Sequence, residues 1–214
     1  GNSQRFTFGP FSAFQPLWAP DGASLVFTVY PEDRLVRKSI GTSSKEQPLR
    51  PTGANTFASD WSADGRWIVF SQSGASSKRD LWLLPLDGDE GPRVFKQTPF
   101  DEALGQFSPD GRWMAYVSDA TGQREVYVEP ISGTGAQRKV SVSGGFNPVW
   151  RRDGRELYFI VDDRMMAVDV KLGEELTFGE PKELFRQNFR VVPGAPSTSL
   201  FQASRDGSQF LVLL

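Results

Sequence analysis

Apolar and polar positions along the chain fall in short runs, with weak helical periodicity throughout and Gly or Pro at the breaks. The pattern predicts strands joined by tight turns. One unit recurs five times: Trp18 to Thr28 (WAPDGASLVFT), Trp61 to Ser71 (WSADGRWIVFS), Phe107 to Val117 (FSPDGRWMAYV), Trp150 to Ile160 (WRRDGRELYFI) and Ala203 to Leu213 (ASRDGSQFLVL). An aromatic or small residue ends one strand, an Asp-Gly pair supplies the turn where φ is positive, and an apolar run begins the next strand.

The repeated acids are Asp21, Asp64, Asp110, Asp153 and Asp206. Their period of about 45 residues is that of a four-stranded propeller blade. A polar loop and a third strand follow each apolar run, as in Leu81 to Leu84 or Glu125 to Val128. A second turn, Asp87-Gly88 or Ser132-Gly133, then leads to a short fourth strand such as Arg93 to Phe95. The expected fold is all-β: a single β-propeller domain over 1–214, with blades at about 14–52, 57–98, 104–142 and 146–186 and a partial blade at 198–214. Residues Arg5 to Phe8 are expected to close a blade as its outermost strand. The five visible repeats read as part of a six-bladed ring, and the chain as an excised portion of something longer.

The residues quoted above resemble the TolB-like, WD-type β-propeller repeats. Leu81 to Trp113 and Gly144 to Val168 most resemble the propellers at the C-terminal end of bacterial serine/threonine protein kinases. The resemblance implies a six-bladed fold placed in the periplasm or otherwise outside the cytoplasm. No Gly-rich phosphate loop, His-Arg-Asp or Asp-Phe-Gly is present, so phosphoryl transfer does not belong to these residues.

Composition narrows the chemistry. The chain has no Cys and no His among its 214 residues, which removes thiolate nucleophiles, His-based triads and the commonest zinc ligand. The formal charge of -2 favours neither nucleic acid nor an anionic membrane surface, and no apolar run is long enough to cross a bilayer. The expectation is therefore a non-enzyme without cofactor or metal: a binding or sensing module for a protein or small-molecule ligand, with no nucleic-acid partner and no membrane insertion of its own. A periplasmic TolB-type scaffold and a carboxylate-dependent glycosidase are the alternatives.

The recurring Asp residues read as turn caps, since matched positions on successive blades lie too far apart to chelate one ion. The doublets Asp101-Glu102, Asp162-Asp163 and Glu174-Glu175 read as loop charges rather than acid/base pairs. In a propeller, the loops leading into the innermost strand and the loops joining second and third strands share one face around the channel mouth. The candidate ligand-binding residues there are Gln15, Asn55, Asp101, Glu102, Asn147 and Asp162. Lys78, Arg79, Ser76 and Thr121 occupy the same loops.

Overall fold

The computed structural model describes residues 5–8, 10–32, 34–41, 45–49, 55–74, 78–173, 175–189 and 200–213. Ser76, Glu174 and the outer ends of the fifth repeat, 198–199 and 214, lie outside them. Among the described residues there is strand and turn but no helix, so the fold is all-β.

Each repeat forms its own antiparallel sheet. The first contains β1 (Ser12–Trp18), β2 (Ser24–Tyr30), β3 (Arg34–Ser39) and β4 (Gln47–Pro48) in that order. The second runs β5 (Thr56–Trp61), β6 (Trp67–Ser73), β7 (Arg79–Pro85) and β8 (Arg93–Lys96). The third runs β9 (Ala103–Phe107), β10 (Trp113–Ser118), β11 (Glu125–Pro130) and β12 (Arg138–Lys139). The fourth contains β13 (Phe146–Trp150), β14 (Glu156–Val161) and β15 (Arg164–Lys171), whose far edge is shared by β16 (Thr177–Phe178) and β17 (Lys182–Arg186). A two-stranded sheet, β18 (Phe201–Ala203) and β19 (Phe210–Val212), completes the set.

The second strands of the second, third and fourth sheets carry apolar runs, Trp67 to Phe70, Trp113 to Val117 and Leu157 to Val161, because neighbouring sheets cover both their faces. Along β6, Ile68 and Phe70 pack toward the first sheet and Val69 toward the third. Along β10, Met114 and Tyr116 face the second sheet while Ala115 faces the fourth. Leu157 and Phe159 of β14 join the third-sheet core, and Tyr158 and Ile160 pack on Phe201 and Phe210 of the last sheet. Sheet packing thus runs from one repeat to its sequence neighbour.

The Asp-Gly pairs build identical turns. Gly22, Gly65, Gly111, Gly154 and Gly207 take φ of 69° to 77°, which an L side chain rarely adopts. The preceding Asp carboxylates accept the backbone N–H two residues on, at 2.8 Å for Asp21 to Ala23 and 3.0 Å for Asp64 to Arg66. Asp110, Asp153 and Asp206 do the same for Arg112, Arg155 and Ser208.

Residues Arg5 to Phe8 form no strand. Phe6 instead lies edge-on to Phe27 with centroids 6.4 Å apart, and its carbonyl accepts Lys38 Nζ at 2.6 Å. The partly buried Phe6 ring, packed on the face of the first sheet, and its carbonyl bond to Lys38 hold this segment in place of a backbone ladder.

Candidate functional site

Because strands alternate in direction, the loops leading into β5, β9 and β13 emerge at the same end as the β6–β7, β10–β11 and β14–β15 loops. Asp101 and Glu102 are the last two residues before β9 and sit where these loops meet. The Glu102 N–H donates to the Arg79 carbonyl at 2.9 Å, and the Asp101 N–H donates to Asp119 Oδ1 at 2.8 Å. The Arg79 guanidinium grips Asp101 with two bonds, Nε to Oδ1 at 2.8 Å and Nη2 to Oδ2 at 2.5 Å. Lys78 Nζ donates to Asp119 Oδ2 at 2.6 Å. Two ion pairs, Lys78 with Asp119 and Arg79 with Asp101, are therefore joined across two sheets through the Asp101 N–H.

The charges tune one another. Burial pushes the Asp101 carboxyl up, but the hydrogen bonds and charge of Arg79 outweigh it and hold the group below the usual carboxylate range. Asp119 is lowered in the same way, burial being offset by Lys78 and the Asp101 N–H.

Glu102 behaves differently. It is 1% exposed, its Oε1 accepts Thr98 Oγ1 at 2.5 Å and Ser118 Oγ at 3.3 Å, and its Oε2 has no partner. Burial raises its pKa against those two hydroxyls, and nearby Asp80 adds to the rise. One repeat later, Gly144 and Gly145 occupy the places of Asp101 and Glu102, with the Gly145 N–H donating to the Arg124 carbonyl at 2.8 Å. The buried acid there, Glu125, is satisfied by Ser141 Oγ, by Gln123 Nε2 at 2.9 Å and by the Gly144 N–H at 3.0 Å.

The other candidates stand on other repeats. Gln15, Asn55, Asn147 and Asp162 all adopt positive φ, between 54° and 56°. Gln15 and Asn147 each lie three residues before the Trp that ends the strand, at a shift in its register with the second strand. Leu104, which no sequence feature singled out, takes the same conformation at the matching place in β9, with φ of 58°. Asn147 is buried, and its Oδ1 accepts the Leu200 N–H at 3.1 Å while its Nδ2 has no partner. Both amide atoms of Gln15 are buried without a partner. Asn55 is exposed ahead of β5, and exposed Asp162 lies 3.6 Å from Arg164 in the β14–β15 turn.

Sequence reasoning missed Asp60. It lies on β5, where its carboxylate accepts the Phe107 N–H of β9 at 2.8 Å. Burial raises its pKa to about 7 against the N–H groups of Phe107 and Trp61. Acid and carboxylate forms thus coexist at neutral pH, so Asp60 can give or take a proton. Its signal was an acid inside a strand, next to Trp61, where the other repeats carry Leu17, Gln106, Val149 or Gln202. Among the described residues, no cluster of three or more acids could hold a metal ion.

Sheets of four strands, stacked repeat by repeat with polar loops gathered at one end, define a β-propeller. Residues 1–184 match the TolB beta propeller domain, and the chain belongs to that family. Over 139 residues it is 27% identical to the TolB homolog of Chlorobium luteolum, covering 64% of this chain and 31% of that protein. It is 34% identical over 90 residues to tricorn protease homolog 1 of Streptomyces coelicolor, 38% of this chain and 8% of that one. TolB from Acinetobacter baumannii has the same fold, with a TM-score of 0.64 at 15% identity over 94% of this chain and 48% of its own. A puromycin-hydrolyzing peptidase from Mycobacterium tuberculosis also gives a TM-score of 0.64, at 24% identity over 92% of this chain and 34% of its own. The chain therefore spans about a third of the TolB homolog and about half of the solved TolB.

The expectation of a non-enzyme is overturned by these matches, which include a tricorn protease homolog and a peptidase beside TolB. The absence of His and Cys describes 214 residues, whereas the shared part covers only 8% of the tricorn protease homolog and 34% of the peptidase.

Proposed function

We propose that this chain is a recognition propeller within an extracytoplasmic bacterial protein, binding a polypeptide at the face where Lys78, Arg79, Asp101, Glu102 and Asp119 converge. One observation carries the reading. Glu102 Oε2, Asn147 Nδ2 and the Gln15 amide are buried without partners on three different repeats. Each buried polar group left unpaired costs roughly 1–3 kcal/mol. Strained or unsatisfied positions concentrate where a bound molecule completes them.

The similarity to TolB supports placement outside the cytoplasm and a partner-binding role. The resemblance of Leu81 to Trp113 to kinase-linked propellers supports attachment to a membrane-anchored serine/threonine kinase as a sensor. A second reading draws on the tricorn protease homolog, whose stretch of 34% identity supports the same face selecting polypeptide for an attached peptidase.

Selection of a random-peptide display library against the chain tests the proposal. Enriched peptides are expected to lose at least about tenfold in affinity when exposed Lys78, Asn55 or Asp162 is replaced by Ala. Failure to enrich any peptide, or enriched peptides indifferent to all three substitutions, would overturn it.

A further inference from the structure

The opposite end of the sheets carries a second, independent feature. A cavity of about 540 Å³ opens between the third and fourth sheets, walled by Trp113, Pro130, Ile131 and Leu176, with Arg112, Arg138 and Glu175 at its rim. That volume suits a small organic ligand.

The preceding repeat shows what is unusual here. The segment Pro85 to Arg93 (PLDGDEGPR) aligns without gaps on Pro130 to Arg138 (PISGTGAQR). The strand registers agree, Trp67 pairing with Pro85 and Arg93 with Leu83, as Trp113 pairs with Pro130 and Arg138 with Val128. In the second sheet the Arg93 guanidinium lies 4.7 Å from the centre of the Trp67 ring, and Arg66 pairs with Asp87 at 3.5 Å. In the third sheet Ser132, Thr134 and Gly135 replace the acids Asp87, Asp89 and Glu90. Among the described residues Arg138 stacks on no ring and pairs with no acid, whereas Arg112 is held by Asp110 at 2.9 Å. The Trp113 indole N–H is buried without an acceptor. Gly135 keeps the wall thin, since a Cβ there would come within 2.7 Å of the Pro130 ring.

We infer that this cavity binds a monocarboxylate bearing a flat apolar group, with Arg138 gripping the carboxylate and Trp113, Pro130, Ile131 and Leu176 enclosing the apolar body. A guanidinium fork matches a carboxylate with two parallel bonds. One unpaired Arg set against one Glu selects a single negative charge over a multiply charged anion. Such a ligand is either a free aryl acid or the C-terminal residue of a peptide.

Titration calorimetry with 3-phenylpropionate, a tetrapeptide ending in free Phe, and its C-terminal amide tests the inference. The free acid, the free-ended peptide or both should bind saturably, and whichever binds identifies the source; the amide should be weaker by at least about tenfold. Arg138→Ala should weaken binding by a similar factor, and Ser132→Asp, which restores the acid of the second sheet, should do likewise. Arg93→Ala should leave binding unchanged. Both side chains at 132 and 138 are exposed, so neither substitution threatens the fold. Absence of saturable binding, equal binding of the amide, or binding that survives both cavity variants would overturn the inference.

Discussion

The carboxylate of Asp60 on β5 accepts the backbone N–H of Phe107 on β9 at 2.8 Å, so an acid holds two neighbouring sheets together at their innermost strands. Around it, Ser59 Oγ donates to the Gly105 carbonyl at 2.8 Å and Gln106 Nε2 to the Ser59 carbonyl at 3.0 Å.

Asp60 makes stability depend on pH. Its folded pKa, about 7, lies above the ordinary 3.8 of the unfolded chain, so its contribution is complete below 3.8 and is lost as pH rises through 7. Asp60→Asn keeps an acceptor for Phe107 and removes the charge. Thermal or urea unfolding should show the variant gaining on the parent by about 3–4 kcal/mol between pH 4 and pH 8. A gap independent of pH would refute this role.

Asp101 should act in the opposite sense. Its lowered pKa means stability present above the ordinary carboxylate range and lost as pH falls through the folded value. Asp101→Asn should cost about 1–3 kcal/mol at pH 7 by removing the charge that accepts two bonds from the Arg79 guanidinium. That deficit should shrink in acid, and the Glu102 amide should exchange faster with solvent in the variant. A deficit equally large in acid would argue against the ion pair as its cause.

Two glycines separate packing from backbone strain. A Cβ at Gly105 would come within 2.6 Å of Val69 Cγ2 and 3.2 Å of Met114 Sδ, whereas one at Gly111 meets nothing within 4 Å but sits at φ of 69°. Gly105→Ala should cost about 1–3 kcal/mol by overpacking the second and third sheets. Gly111→Ala should cost about 1 kcal/mol through the backbone alone. Comparable core exchange protection in both variants would contradict the distinction.

Ser108 shows how the turn is tied down. Its buried hydroxyl donates to Asp110 Oδ1 at 2.5 Å and accepts the Trp113 N–H at 2.9 Å. Ser108→Ala should lose about 1–2 kcal/mol in denaturant unfolding, because the Trp113 donor is left buried and unpaired. Ser204→Ala, at the matching exposed turn, should lose less, and the reverse order would discredit burial as the cause.

Much of the fold was legible because a propeller repeats its turn chemistry. Asp110-Gly111 announces itself by residue type, since few side chains tolerate φ near 70° and few cap as Asp does. The apolar run Trp67 to Phe70 that opens β6 equally declares a strand covered on both faces. Arg5 to Phe8 misled because an aromatic-rich segment that packs on a sheet face reads like one that pairs along its edge. Asp101 and Glu102 could be placed in a loop from their position between strands. Their partner Asp119 is brought close by the pairing of β9 with β10 and Arg79 only by the stacking of repeats, neither of which a local pattern records. Asp60 stayed hidden because its importance depends on a backbone N–H 47 residues away.

Because each sheet packs on its sequence neighbours, tension along the chain would load the inter-sheet contacts in series. Stretched between handles, the protein should yield in discrete steps, each releasing the contour length of about one repeat. The junction bridged by Asp60 should be a reinforced link whose rupture force varies with pH.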